Sequence, residues 1–262
     1  MPHLPAPSTS AVNNAIRIRS EILPINPKAT FVIVTKNQTM ETVQELNDGG
    51  FRDFGENRVE QFVKRQALLP TANWHFIGRL SRKNVAKVVG KAEVIHSVDS
   101  AALLEKIERS CCAAEELFVD TNDPGQMVGG TGRGGENAGE EPEEHGDEDQ
   151  CGLIQRVLLQ VNTSGEGVKQ GFSPDDLREF AETFYPELYP HVKVEGLMTM
   201  APFVDNESIL RGTFSRLRAL KDEINKKYDF EWCELSMGMS NDYAIALEEG
   251  STLVRLGTVV FS

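Results

Sequence analysis

The sequence predicts an α/β fold, a single-domain (β/α)8 barrel of the TIM type, on two observations. Short β-branched runs alternate with helical patterns eight times along 262 residues, a length suited to one such barrel. No G-x-G-x-x-G turn follows the first β-like run, where an open doubly wound sheet commonly cradles a dinucleotide. The alternation is broken once, by a glycine-rich acidic stretch at about 121–150.

Period and punctuation place the elements in order. A strand is expected over 31–36, an apolar β-branched run ending in Lys36 with no turn residue in between. The helix after it covers 39–46 and is stopped by Gly49 and Gly50. Strands at 51–57, 74–78 and 93–98 lead into helices at 59–69, at 83–89 and from 101 to about 117. The fifth strand, 157–162, precedes a helix that starts at Ser173-Pro174-Asp175-Asp176, with a serine cap, a proline in the first turn and acids at the positive end. Strands at 191–200, 233–237 and 253–256 alternate with helices at 208–227 and 242–248. Residues 1–20 carry only Arg17 and Arg19 as charges and no continuous apolar centre. They read as a flexible N-terminal arm rather than a secretory signal, leaving 21–262 for the barrel. The chain ends just past the eighth strand, so a closing helix is either missing or contributed by the arm.

Composition narrows the function. The net charge of −13 argues against nucleic acid as a partner, because phosphate binding requires a positive footprint. No tract approaches the roughly 20 apolar residues that span a bilayer. The four cysteines, Cys111, Cys112, Cys151 and Cys233, form no paired CxxC knuckles, a reduced, cytoplasmic pattern without a zinc site. Residues 121–150 hold nine acids, eight glycines and one base. This composition cannot bury enough surface to offset its ordering entropy, and the stretch reads as a disordered insertion. It joins a helix to the following strand, so it leaves from the barrel face opposite the expected site.

Functional residues of such a barrel gather at the carboxyl ends of the strands. There the sequence puts Lys36, Asn57, Gly78, Asn162, Met198-Thr199, Ser236-Met237-Gly238-Met239-Ser240 and Arg255 with Gly257-Thr258. The loops after strands seven and eight offer small residues with accessible backbone N–H groups, the place where barrels often hold phosphate. Across the mouth stands one amine, Lys36. A buried strand that delivers an amine favours its neutral, nucleophilic form by desolvation.

These residues are familiar as a set. Val32-Ile33-Val34-Thr35-Lys36, Phe54-Gly55-Glu56-Asn57, Trp74-His75-Phe76-Ile77-Gly78, Ile95-His96-Ser97-Val98-Asp99, Gly196-Leu197-Met198-Thr199-Met200 and Leu235-Ser236-Met237-Gly238-Met239-Ser240 with Val254-Arg255-Leu256-Gly257-Thr258 resemble the pyridoxal-phosphate-binding homeostasis proteins. Their fold is similar to the N-terminal barrel domain of alanine racemase. The resemblance implies that pyridoxal 5'-phosphate is the cofactor and that Lys36 forms an aldimine with it. It makes Ser236, Met237, Gly257 and Thr258 the phosphate cup, sets Asn57 and Met198 beside the cofactor, and turns Arg255 toward the pyridine nitrogen. Arginine only donates, so it favours an unprotonated ring nitrogen and a weak electron sink. After Gly78 the family usually has a histidine, whereas this chain has Arg79, which alters a contact at the rim.

Two functions share that cofactor. One is a non-catalytic carrier that holds pyridoxal phosphate and supplies apo-enzymes, acting as a monomer in the cytoplasm. The other is an amino-acid racemase, which needs a second proton acceptor opposite Lys36. In alanine racemase this is a tyrosine reached through a second domain and a dimer partner, and no such domain is expected here. Of Tyr185, Tyr189, Tyr228 and Tyr243, only Tyr243 falls near the mouth, and packing on a helix is the simpler reading of it. The carrier is the expectation.

Overall fold

The computed structural model describes residues 10–121, 152–164 and 170–262. Eight parallel strands close into a barrel in sequence order. They are β1 (Thr30–Val34), β2 (Asp53–Glu56), β3 (Asn73–Phe76), β4 (Val94–Val98), β5 (Gln155–Gln160), β6 (Val192–Met198), β7 (Glu234–Ser236) and β8 (Leu253–Leu256). Closure is made by β1 on β8, with Phe31 opposite Val254 and Ile33 opposite Leu256. Helices α2 (Met40–Asp48), α3 (Val59–Leu68), α4 (Val85–Val88), α5 (Ala101–Thr121), α6 (Pro174–Thr183), α7 (Glu207–Tyr228) and α8 (Tyr243–Glu248) follow strands one to seven in turn. The short α9 (Thr258–Phe261) follows β8. The expected alternation is the observed one.

Local chemistry accounts for the boundaries. Ser173 and Asp176 form a reciprocal capping box at the start of α6, with Pro174 in its first turn, satisfying backbone donors that the helix itself leaves unpaired. Asn206 caps α7 by accepting from Ile209 N at 3.2 Å, and Asp229 ends it in the left-handed conformation at φ 58°. The helices pack Phe62, Leu104, Phe180, Phe214 and Leu217 onto the outer surface of the barrel. Inside lies a smaller apolar layer of Val32, Val94, Leu158, Met198 and Leu253. Burying a side chain of this size contributes about 1.5–3 kcal/mol, so the barrel is a packed core with one usable mouth.

The amino-terminal arm is corrected. Residues 1–9 lie outside the described residues, but Ser10–Ile22 form a helix, α1, with Ala11, Val12, Ala15, Ile18 and Ile22 buried. Those positions share one helical stripe, which alanines and scattered asparagines conceal in the sequence. Asn14 Nδ2 donates to the carbonyls of Val260 at 3.1 Å and Ser262 at 3.0 Å, fastening α1 to α9. The arm thus supplies the closing helix. The acidic insertion at 121–150 lies outside the described residues apart from Thr121, the last residue of α5. In the chain it falls between α5 and β5. No helix among the described residues is long and apolar enough to cross a membrane, and no group of three metal-ligating side chains occurs among them.

Candidate functional site

The loops at the carboxyl ends of the strands surround a cleft of about 840 Å³, the scale of a small-molecule site. Lys36, Asn57, Arg255, Gly257 and Thr258 line it together, so five of the expected site residues converge. Met198, Ser236 and Met237 are buried away from it. Met198 belongs to the apolar layer inside the barrel and Met237 to the outer core. Ser236 meets the site through Arg255, whose Nη1 donates to its Oγ at 2.5 Å.

The sequence puts Lys36 at the end of a buried strand; the structure stops β1 at Val34. Thr35 is buried, and Lys36 stands exposed in a turn that Asn37 completes at φ 66°. The amine is presented to the cleft rather than desolvated by the barrel. What holds the turn is a buried ion pair that the sequence did not advertise. Glu56 at the end of β2 pairs with Arg65 on α3, and both are buried. Glu56 Oε1 also accepts from Thr35 Oγ1 at 2.5 Å, while Arg65 donates to the carbonyls of Thr35 at 2.7 Å and Gln38 at 2.5 Å. The clue was present: Arg65 follows Val59 and Phe62 at three-residue spacing on the buried face of α3.

Asn57 is set by a close approach. A Cβ on Gly78 would lie 2.0 Å from the Asn57 carbonyl oxygen, so only glycine lets the loops after β2 and β3 touch. The β7 loop reaches the cleft with Met239, Ser240, Asn241 and Asp242 instead of Ser236 and Met237. The reason is the reversal at Gly238, φ 96°, where a Cβ would meet Ala246 Cβ at 2.6 Å. Ser240 Oγ accepts from Val259 N at 3.4 Å, tying this loop to the one after β8. Asp242 is buried, which raises its pKa above the ordinary carboxylate range although Met239 N–H donates to it.

Arg255 dominates the electrostatics. It is buried and forms no ion pair with the described residues; besides Ser236 it donates to the Thr199 carbonyl at 2.9 Å. Burial pulls its pKa down to about 10, opposed by Asp242, and it keeps its charge at neutral pH. A buried cation with neutral partners is costly unless an anion completes it. Tyr243, the one tyrosine expected near the mouth, donates to Glu21 on α1 at 2.5 Å. Burial and that carboxylate push its pKa up to about 12, and it does not line the cleft.

The barrel has the fold of the alanine racemase N-terminal domain, whose profile matches residues 143–262. A pyridoxal phosphate homeostasis protein of Aquifex aeolicus is 34% identical over 87% of this chain and 83% of its own. The chain belongs to the pyridoxal phosphate homeostasis protein family. PipY of Synechococcus elongatus, solved with PLP bound, superposes with a TM-score of 0.74 at 28% identity, covering 96% of this chain and 100% of that one. Alanine racemase of Corynebacterium glutamicum shares the fold at a TM-score of 0.66, with 10% identity and 60% of its length covered.

Proposed function

We propose that this chain binds pyridoxal 5'-phosphate reversibly through Lys36 and serves its intracellular homeostasis, holding the aldehyde and passing it to apo-enzymes that require it. The observation that carries this reading is the shared cleft of Lys36 and Arg255, an accessible amine together with a buried cation whose hydrogen-bond partners among the described residues are neutral. The donor set suits an anionic, planar, phosphorylated aldehyde. The cofactor, when bound, supplies a carbonyl that an amine captures reversibly and a ring that withdraws electrons.

Each residue then has a task. Lys36 Nζ provides the amine, on a turn that Glu56 and Arg65 hold in place. The loops of Gly257-Thr258 and Ser240-Asn241 offer backbone and hydroxyl donors for a phosphate. Arg255 donates only, so it would favour an unprotonated ring nitrogen and lessen the electron demand that carbanion chemistry needs. No tyrosine is among the described residues that line the cleft, and Tyr243 is occupied with Glu21. Both points favour a carrier over a racemase. The same proposal takes the chain as one barrel domain with an acidic insertion, located in the cytoplasm, monomeric, and without nucleic acid or membrane as a partner.

The test is exchange of the α-hydrogen of L- and D-alanine in deuterium oxide by the loaded protein. The carrier reading expects exchange within a few fold of free pyridoxal phosphate. Turnover at an enzyme-like rate, about 1 per second or faster, would replace it with the racemase reading.

A further inference from the structure

A chain of hydrogen bonds crosses the inside of the barrel and ends on the arginine of the cleft. Arg255 Nη1 donates to Ser236 Oγ at 2.5 Å. Ser236 Oγ lies 2.8 Å from His96 Nδ1, His96 Nε2 lies 2.9 Å from His75 Nδ1, and His75 Nε2 lies 3.3 Å from Asp53 Oδ1. The five residues come from β8, β7, β4, β3 and β2. Because β4 and β7 are not neighbours in the sheet, the His96–Ser236 bond spans the lumen. Arg255, Ser236, His96 and His75 are buried. Asp53 is the first residue of β2 and keeps 29% of its side chain exposed, so the chain meets solvent at the end of the barrel opposite the cleft.

The two ends fix the direction of every bond between them. Arginine can only donate and a carboxylate can only accept. His75 Nε2–H must therefore donate to Asp53, which leaves Nδ1 of a neutral His75 as an acceptor. His96 Nε2–H must donate to that atom, and its own Nδ1 then accepts from the Ser236 hydroxyl. Ser236 in turn offers a lone pair to Arg255. One arrangement satisfies all of them.

We propose that Asp53, His75 and His96 form a positioning relay, which fixes the tautomer of each ring, sets the Ser236 hydroxyl and through it holds the Arg255 guanidinium at the cleft. Other charges face the relay. Arg156 on β5, paired with Glu93 and with Glu195 on β6, lies near Asp53 and His96, and Asn73 Nδ2 donates to Asp53 at 3.1 Å. Burial works against the charge of Asp53, but the bonds from His75 and Asn73 outweigh it and keep the carboxylate ionised. Burial and the neighbouring cations hold His96 neutral.

The consequence for ligand release rests on the reading of the cleft given above; the relay itself does not. Its test is the nitrogen-15 spectrum of the histidines in the full-length, ligand-free chain. At pH 8 both His75 and His96 should carry hydrogen on Nε2 alone. In Asp53→Ala the fixed acceptor is gone, and both rings should become tautomer mixtures. A His96 protonated on Nδ1 at pH 8, or ring tautomers unchanged in Asp53→Ala, would overturn the relay. With pyridoxal 5'-phosphate as the probe at pH 8, release from Asp53→Ala should be about fivefold faster than from the wild type, the size of one net hydrogen bond. Equal release from both proteins would remove the link to the cleft. A chain that takes up no pyridoxal phosphate at all would overturn the cleft reading instead, and the ligand-free spectra would still decide the relay.

Discussion

The guanidinium of Arg65, carried on α3, donates at 2.7 Å to the carbonyl oxygen of Thr35, the residue directly before Lys36. The same guanidinium pairs with the buried carboxylate of Glu56. One ion pair therefore holds the turn that presents the amine. Removing one partner leaves the other charge buried and uncompensated, at a cost of about 3–5 kcal/mol. Arg65→Met is expected to lower the unfolding free energy by that amount in urea titrations, and Glu56→Gln combined with Arg65→Met to recover part of it. Both proteins should hold pyridoxal phosphate less tightly than the wild type. A single variant of unchanged stability would show that the pair does not anchor the turn.

Gly78→Ala tests the close approach beside Asn57. The added methyl meets backbone, which cannot move aside as a flexible side chain does, so a loss of about 1–3 kcal/mol and weaker ligand retention are expected. Gly212→Ala is the contrast. Gly212 lies inside α7 and its Cβ would find only Arg216 Nη1 at 3.6 Å, so this change should stabilise by up to about 1 kcal/mol through helix propensity. Thermal melts of the two variants should move in opposite directions.

His96 gives the fold a pH dependence of known sign. Its pKa in the folded chain lies well below the ordinary 6.5, chiefly because burial disfavours the charged ring. As pH falls through 6.5 the unfolded chain takes up a proton that the folded chain refuses. Stability should fall by up to about 1.4 kcal/mol per pH unit from this residue, until the folded value is reached. Unfolding titrations at pH 7 and 5.5 should show the decline in the wild type and a smaller one in His96→Asn. An equal decline in both would assign it to other groups.

Deletion of residues 121–150 is expected to leave uptake of pyridoxal phosphate unchanged. The stretch falls between α5 and β5 in the chain, a helix-to-strand connection of the kind that a parallel barrel turns away from the carboxyl ends of its strands, where the cleft lies. Loss of the visible absorbance of the bound cofactor in the deleted protein would contradict that placement.

The barrel was legible because its helices and strands differ in period and because caps and glycines mark their ends. The eighth strand was bounded correctly, since Leu253, Val254 and Leu256 bracket Arg255 and Gly257 ends the run. Helix α1 was missed because Ala11 and Ala15 dilute the apolar signal of Val12, Ile18 and Ile22 in its buried stripe. Arg255 within β8, and Gly257 and Thr258 just after it, line the cleft as positions at a strand's carboxyl end do. Ser236 and Met237 lie away from it, because the reversal at Gly238 turns later residues toward the cleft. Glu56 and Arg65 escaped notice for a different reason. A buried ion pair joins positions nine apart on two elements, and no local pattern reveals which charges will meet.

The central claim is that Lys36 is the residue to which pyridoxal phosphate attaches. The direct measurement is borohydride reduction of the chain mixed with the cofactor, followed by digestion and mapping of the modified peptide by mass spectrometry. One modified site at Lys36 is predicted, together with loss of the bound absorbance in Lys36→Ala. Modification spread over other lysines, or a Lys36→Ala protein that retains the cofactor fully, would contradict it.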